Sequence, residues 1–194
     1  MPKNYAEDAV EWYLRLNGFF LLSNYVLHPE NGTEERQGDV DILAVRPPFV
    51  DERVGGRRDH DETLLKQAND DSWIGVICEV TTALQVKKEF FRKDYLRAAV
   101  ARLGLVDPSF VDAVVNDLLA DKKHQRGNVG YIKLVVTSIP IGDGPFLHRP
   151  LDDIEDFLEQ RAITYFDEKN SDRVYFPAGA FQSAIGWVRR HGRG

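Results

Sequence analysis

GDVDILAV (residues 38–45) and WIGVICEVTT (residues 73–82) decide the fold of this chain. Both are runs of aliphatic and β-branched residues closed by turn formers, so both read as strands. In the first, Asp39, Asp41, Leu43 and Val45 share one face, while Val40, Ile42 and Ala44 share the other. The second is apolar on both faces until Glu79, as a central strand is. Gly75, Ile77, Glu79 and Thr81 share one of its faces. A carboxylate sunk in an apolar run is costly unless it meets a cation, a hydrogen-bond donor or a proton. If the two strands pair, Asp41 and Glu79 approach each other on one face. Two carboxylates at close range repel, and a divalent cation relieves that repulsion. An acid near a strand end also commonly meets a Lys or Arg or faces water, and this plain structural alternative stands beside the functional one.

The rest of the chain supplies partners for these strands. Ala6, Ala9, Val10, Tyr13 and Leu14 recur at helical spacing from Asn4 to Asn17, with Asn17-Gly18 as the stop. FFLLSNYVL (residues 19–27) is a strand, and Asn31-Gly32 in the polar stretch 28–37 predicts a hairpin with residues 38–45. Phe49 to Asp71 is charged, carries Gly55-Gly56 and is long for a loop, with one short helix around Thr63 to Ala68. Helices follow from Gln85 to Leu103 and from Pro108 to Asp121, then a strand from Gly130 to Ile139 and an amphipathic helix from Leu151 to Phe166. A short strand (Arg173 to Phe176) and a last helix (Phe181 to Arg190) complete the reading. The pattern predicts one α/β domain over residues 1–194, a mixed central sheet flanked by helices.

Composition limits the function classes. The chain has 194 residues, 43% hydrophobic and 29% charged, a globular rather than a disordered balance. No apolar run is long enough for a bilayer, and MPKNYAEDAV has no signal-peptide core, so no membrane is expected and the cytoplasm is the expected compartment. The single cysteine, Cys78, excludes an internal disulfide and a cysteine-rich zinc module; facing away from Glu79, it reads as a small core residue. His28, His60, His124, His148 and His191 have no zinc-ligand spacing, and no Walker loop, dinucleotide fingerprint or nucleophile elbow is present. With a net charge of −6, any contact with nucleic acid must use a local basic patch. Such patches are Lys87, Lys88, Arg92, Lys93 and Arg97; Lys122, Lys123, His124 and Arg126; and Arg189, Arg190 and Arg193. The first follows the Glu79 strand, which makes Lys87, Lys88 and Arg92 the candidates for phosphate contact. The alternative is a charged helix face balanced by Glu89 and Asp94.

Taken in order, AEDAVEWYLRLNGFFLLSNY, GDVDILAV and ICEVTT resemble the PD-(D/E)XK nuclease superfamily, closest to its Holliday-junction-resolvase-like branch. The matching positions are Glu7, Tyr13-Leu14, Gly18, Asn24, Asp41 and Glu79, and the resemblance covers about residues 5–139. It implies a restriction-endonuclease-like αβββαβ core with a C-terminal helical extension over residues 140–194. It implies further that Asp41 and Glu79 hold Mg2+ or Mn2+ with the backbone carbonyl of Val80, and that Glu7 orients a water or a second ion. The implied activity is hydrolysis of phosphodiester bonds in DNA, with branched or otherwise structured DNA among the candidate substrates. Resolvase-like relatives often pair, so a homodimer is among the expectations.

The sequence departs from the family pattern at its lysine. Two residues after Glu79 stands Thr81, which donates a hydrogen bond but carries no charge. Some members of the superfamily carry the lysine on a neighbouring helix, which makes Lys87 and Lys88 the replacements, with Gln85 as a helper. The alternative is a catalytically degenerate nuclease fold that serves as a nucleic-acid-binding or protein-interaction accessory. A lysine amine reaching the acids favours the enzyme; a salt bridge filling the site favours the accessory. Glu11, one turn beyond Glu7, and Asp39, nearer the strand start, are the weaker acid candidates.

Overall fold

The apolar stripes of the sequence find their partners on the two faces of one sheet. The computed structural model describes residues 4–27, 38–51, 53–54, 57–58, 60–69, 71–82 and 86–164. In chain order its elements are α1 (Tyr5–Leu16), β1 (Phe20–Leu27), β2 (Gly38–Arg46), the two-residue strands β3 (Arg53–Val54) and β4 (Arg57–Arg58), α2 (Glu62–Leu65) and β5 (Trp73–Thr81). There follow α3 (Lys93–Leu103), α4 (Val111–Ala120), β6 (Lys123–Arg126), β7 (Val129–Thr137), β8 (Leu147–Pro150) and α5 (Leu151–Thr164), with 3-10 turns at Lys88–Phe91 and Pro108–Phe110. Among these residues no helix is long and apolar enough to cross a membrane.

Six strands form one mixed sheet in the order β1-β2-β5-β7-β6, with β8 also on β7. β1 pairs antiparallel with β2 from Phe20↔Val45 to Leu27↔Gly38, as the hairpin reading requires. β2 pairs antiparallel with β5. β5 and β7 are parallel from Trp73↔Val129 to Thr81↔Thr137, so the chain crosses over between them, and α3 and α4 are that crossover. β6 takes the first half of the outer edge of β7 and β8 the second half.

Helices cover both faces. On one, Ala6, Val10, Tyr13 and Leu14 of α1 and Ile154 and Leu158 of α5 pack on Ile42, Ala44, Val76, Cys78, Leu134 and Val136. On the other, Tyr95, Leu96, Ala99 and Val100 of α3 and Val114, Val115 and Leu118 of α4 pack on Leu43, Ile77, Tyr131 and Val135. Asn4 caps α1 by accepting the Glu7 amide at 2.9 Å, which fixes where that helix begins. Asp61 caps α2 and also accepts the Tyr13 hydroxyl at 2.9 Å and Arg149 at 2.7 Å, tying the connection between β2 and β5 to α1 and β8.

The structure corrects the sequence reading in four places. The helix expected from Gln85 begins at Lys93, because Arg92 is extended (φ −88°, ψ 140°) and the chain first makes the 3-10 turn that drops Phe90 into the core. β6 and β8 were not expected: KHQR has no apolar residue and LHRP has one, so neither shows an alternation. The hairpin of β3 and β4 was not expected either, within the stretch read as a loop. Val40 packs on the α3 side with Leu27 and Leu43, where strict alternation sends it with Ile42 and Ala44, so the strand changes phase at Asp41. The Asn31-Gly32 turn, Gly55-Gly56, Gln85, the strand at 173–176, the helix at 181–190 and the basic residues Arg189, Arg190 and Arg193 lie outside the described residues.

Gly75 explains how the centre of the sheet closes. It lies opposite Tyr131 on β7, and a Cβ there would stand 2.9 Å from the Tyr131 ring and 3.1 Å from Leu105. Gly75→Ala is therefore expected to cost about 1–3 kcal/mol through overpacking, a fall of roughly 2–12 °C in Tm for a chain of this size. Gly142→Ala, where nothing lies within 4 Å, is expected to leave Tm unchanged. Paired thermal melts by circular dichroism check both, and equal melting temperatures would refute the packing account.

Candidate active site

β2 and β5 pair from Arg46↔Ile74 to Ile42↔Cys78, and there the ladder stops. One step further on, the Val80 amide donates to Asp41 Oδ2 at 2.8 Å. A side chain thus takes the place of a backbone rung, and it fixes the Asp41 carboxylate at the fork between the strands. On the other side of Asp41 the β1 ladder also skips a pair: Ser23↔Ile42 and Tyr25↔Val40 are joined, and Asn24 lies between them with a left-handed φ of 51°. Asparagine accepts that conformation more readily than most residues. Its side chain hydrogen-bonds Glu7 in the first turn of α1, and Glu7 also accepts the Asn4 amide at 2.7 Å.

Glu79 is fully buried, as its place in the centre of the sheet demands. Lys87 Nζ lies 2.8 Å from Asp41 Oδ1, 3.0 Å from Glu79 Oε1 and 3.3 Å from Glu79 Oε2. Among the described residues the enclosed Oε1 has no hydrogen bond of good geometry. Burial, and then the nearby Asp41 charge, push the Glu79 carboxyl up to about 8, although Lys87 pulls it back. Burial works against the Lys87 ammonium, but the hydrogen bonds and charges of Asp41 and Glu79 outweigh it and raise its pKa. Glu7 belongs to the same field: burial and the Asp41 charge raise it, while Asn24 and Lys87 partly offset them.

The segment that carries Lys87 is anchored from below. Phe90 is buried against Tyr95, and the Phe91 ring stands 5.4 Å from the ammonium of Lys133. Lys133 is buried on β7, donates to the Leu118 carbonyl and is pushed down to about 8 by burial. Tyr95 is buried beside the acids, its hydroxyl has no hydrogen bond among the described residues, and burial together with the Glu79 and Asp41 charges raises its pKa. Sequence reasoning passed over Tyr95 and Lys133. Their signal was a polar end on the apolar stripe of α3 and a lysine inside an aliphatic strand.

Of the residues singled out in the sequence, Glu7, Asp41, Glu79 and Lys87 converge with Asn24, and Val80 contributes its amide to Asp41. Lys88 is exposed and makes no ion pair with either acid among the described residues. Arg92 pairs with Asp94, at 3.1 Å through Nε, and Arg97 lies 2.5 Å from Asp112. Glu11 is buried with Arg15 3.9 Å away, and Asp39 is exposed. Thr81 ends β5, half-buried. Among the described residues no group of three or more His, Cys, Asp or Glu side chains forms a metal cage.

No protein-family model matches the chain, and neither curated proteins nor solved structures show a significant match to it.

The raised pKa of Glu79 has a testable sign. Folding makes this carboxyl take up a proton, so its favourable share of stability is present below the ordinary carboxylate range and is lost as the pH rises toward 8. Glu79→Gln removes that dependence. In chelator, wild type is expected to lose at least about 1 kcal/mol relative to the variant between about pH 5 and about pH 8. Denaturant titrations at the two pH values measure it, and a constant difference would show that Glu79 ionises as a surface acid does.

Proposed function

We propose that this protein is a divalent-metal-dependent endonuclease of the PD-(D/E)XK kind, with a restriction-endonuclease-like core, and that it hydrolyses phosphodiester bonds in DNA. The observation that carries the reading is the meeting of Glu7, Asp41, Glu79 and Lys87 at one sheet end, where β2 and β5 part. The resemblance in sequence pointed to the three acids from separate motifs. Lys87 supplies the cation that Thr81 cannot.

The donor set fits a hard cation. Asp41 and Glu79 are oxygen ligands within hydrogen-bonding reach of each other, and the enclosed Glu79 Oε1 makes no hydrogen bond among the described residues and faces the Lys87 ammonium at 3.0 Å. All-oxygen donors suit magnesium or manganese. Asp41, Glu79 and the Val80 carbonyl would hold such an ion, which would supply a Lewis acid for the phosphoryl oxygen and an activated water. The chain's own residues do the rest. The Val80 amide fixes the Asp41 carboxylate. Asn24 and Asn4 hold Glu7, a base of raised pKa suited to orient a water. The Lys87 ammonium would stabilise negative charge developing on the phosphate.

A second reading has an observation of its own. One ammonium bridging two buried carboxylates is also what a structural network without chemistry contains, so the Lys87 contact serves the accessory reading as well. Cleavage separates the two. Wild type is expected to cut supercoiled, linear or branched DNA with magnesium or manganese. Asp41→Ala, Glu79→Ala and Lys87→Met are each expected to lose at least about a hundredfold. An inactive wild type that also binds no divalent ion by calorimetry would leave the accessory reading standing.

A further inference from the structure

Each oxygen of the acid pair has a donor or the Lys87 ammonium beside it. Asp41 Oδ2 accepts the Val80 amide, Asp41 Oδ1 faces Lys87 Nζ at 2.8 Å, and both oxygens of Glu79 lie within 3.3 Å of the same Nζ. A divalent ion that used both carboxylates would have to take oxygens that Lys87 now occupies. Two cations crowded on those oxygens repel strongly in a buried site. The ammonium and the ion therefore compete for one position.

Lys87 is built to yield it. Its side chain is 47% exposed, whereas those of Asp41 and Glu79 are 9% and 0% exposed, so the lysine enters the site from the solvent side. Its backbone is held from the next turn by buried Phe90 and by Phe91 over Lys133. The movable part is the four-carbon side chain, which can swing outward while its root stays in place.

We propose that Lys87 is a displaceable counter-cation: it neutralises Asp41 and Glu79 in the metal-free protein, is expelled from between them when a divalent ion binds, and is thereby freed to meet a substrate phosphate. This rests on the metal-dependent reading above and adds a regulation to it. The cationic side chain becomes available to substrate only after the ion is loaded. The acids are never left together without a positive charge.

The test is the affinity for Mn2+ itself, measured by calorimetry at one fixed pH on wild type, Lys87→Met and Lys87→Gln. Removing a competitor tightens binding, so both variants are expected to bind Mn2+ at least about tenfold more tightly, although they cleave less. Amine acetylation followed by peptide mass spectrometry gives a second readout on the unmutated protein. Lys87 reactivity is expected to rise when Mn2+ is added, while that of Lys88 stays the same. Binding that weakens or stays unchanged in the variants, or Lys87 labelling that does not rise, overturns the displacement. Failure of the metal reading looks different: no Mn2+ binding by wild type or variants, or binding that survives Asp41→Ala, sinks both together.

Discussion

One hydrogen bond, from the Val80 amide to the Asp41 carboxylate, governs how this sheet ends. Antiparallel strands normally satisfy their backbone with each other until one of them turns away. Here β2 and β5 stop pairing while both are still extended and buried, and a side chain takes over the donor that would be orphaned. The fork this creates is where Glu79 lies buried at the end of β5. The same distortion appears on the other side of β2 as the left-handed Asn24, and in the core as the changed packing side of Val40. Loss of the Asp41 carboxylate would therefore disturb the local backbone as well as the charge.

Charge balance is the second constraint. A buried carboxylate pair with no cation is costly, and a single ammonium relieves only part of the strain, which is why a proton still binds Glu79 near neutral pH. The α3 face carries another buried cation, Lys133, whose ammonium meets a backbone carbonyl and an aromatic ring. Apolar packing on both faces of β5 and β7 offsets these polar costs. The polar groups gather where β2 and β5 part.

Much of this was legible in the residues. The aliphatic run ending in Glu79 required a central strand with a buried acid, and the hairpin signal placed β2 beside β1. The apolar stripe of α1 announced the helix that carries Glu7. What stayed hidden had a physical cause in each case. β6 and β8 are held by the edge of β7 rather than by any pattern of their own, so their short polar sequences carried no sign of them. The 3-10 turn before α3 comes from the burial of Phe90, a tertiary demand that overrides the helical spacing of residues 85–92. Which of two adjacent lysines enters the site depends on that turn: Lys87 precedes it and reaches inward, and Lys88 inside it stays exposed. Arg92, a candidate for phosphate contact in the sequence, pairs with its neighbour Asp94, which the sequence showed only as a nearby charge.

The position of β5 has a consequence for biosynthesis. A nascent chain that has emerged as far as Lys87 already contains both acids and their lysine, yet it lacks β7, which closes the free edge of β5, and α3 and α4, which cover its face. At that stage an aliphatic strand with an open edge is a template for pairing with other chains. In water Glu79 is ionised, and a charge set toward the end of such a run opposes that association. The residue that costs stability in the finished protein thus protects the chain while it is being made.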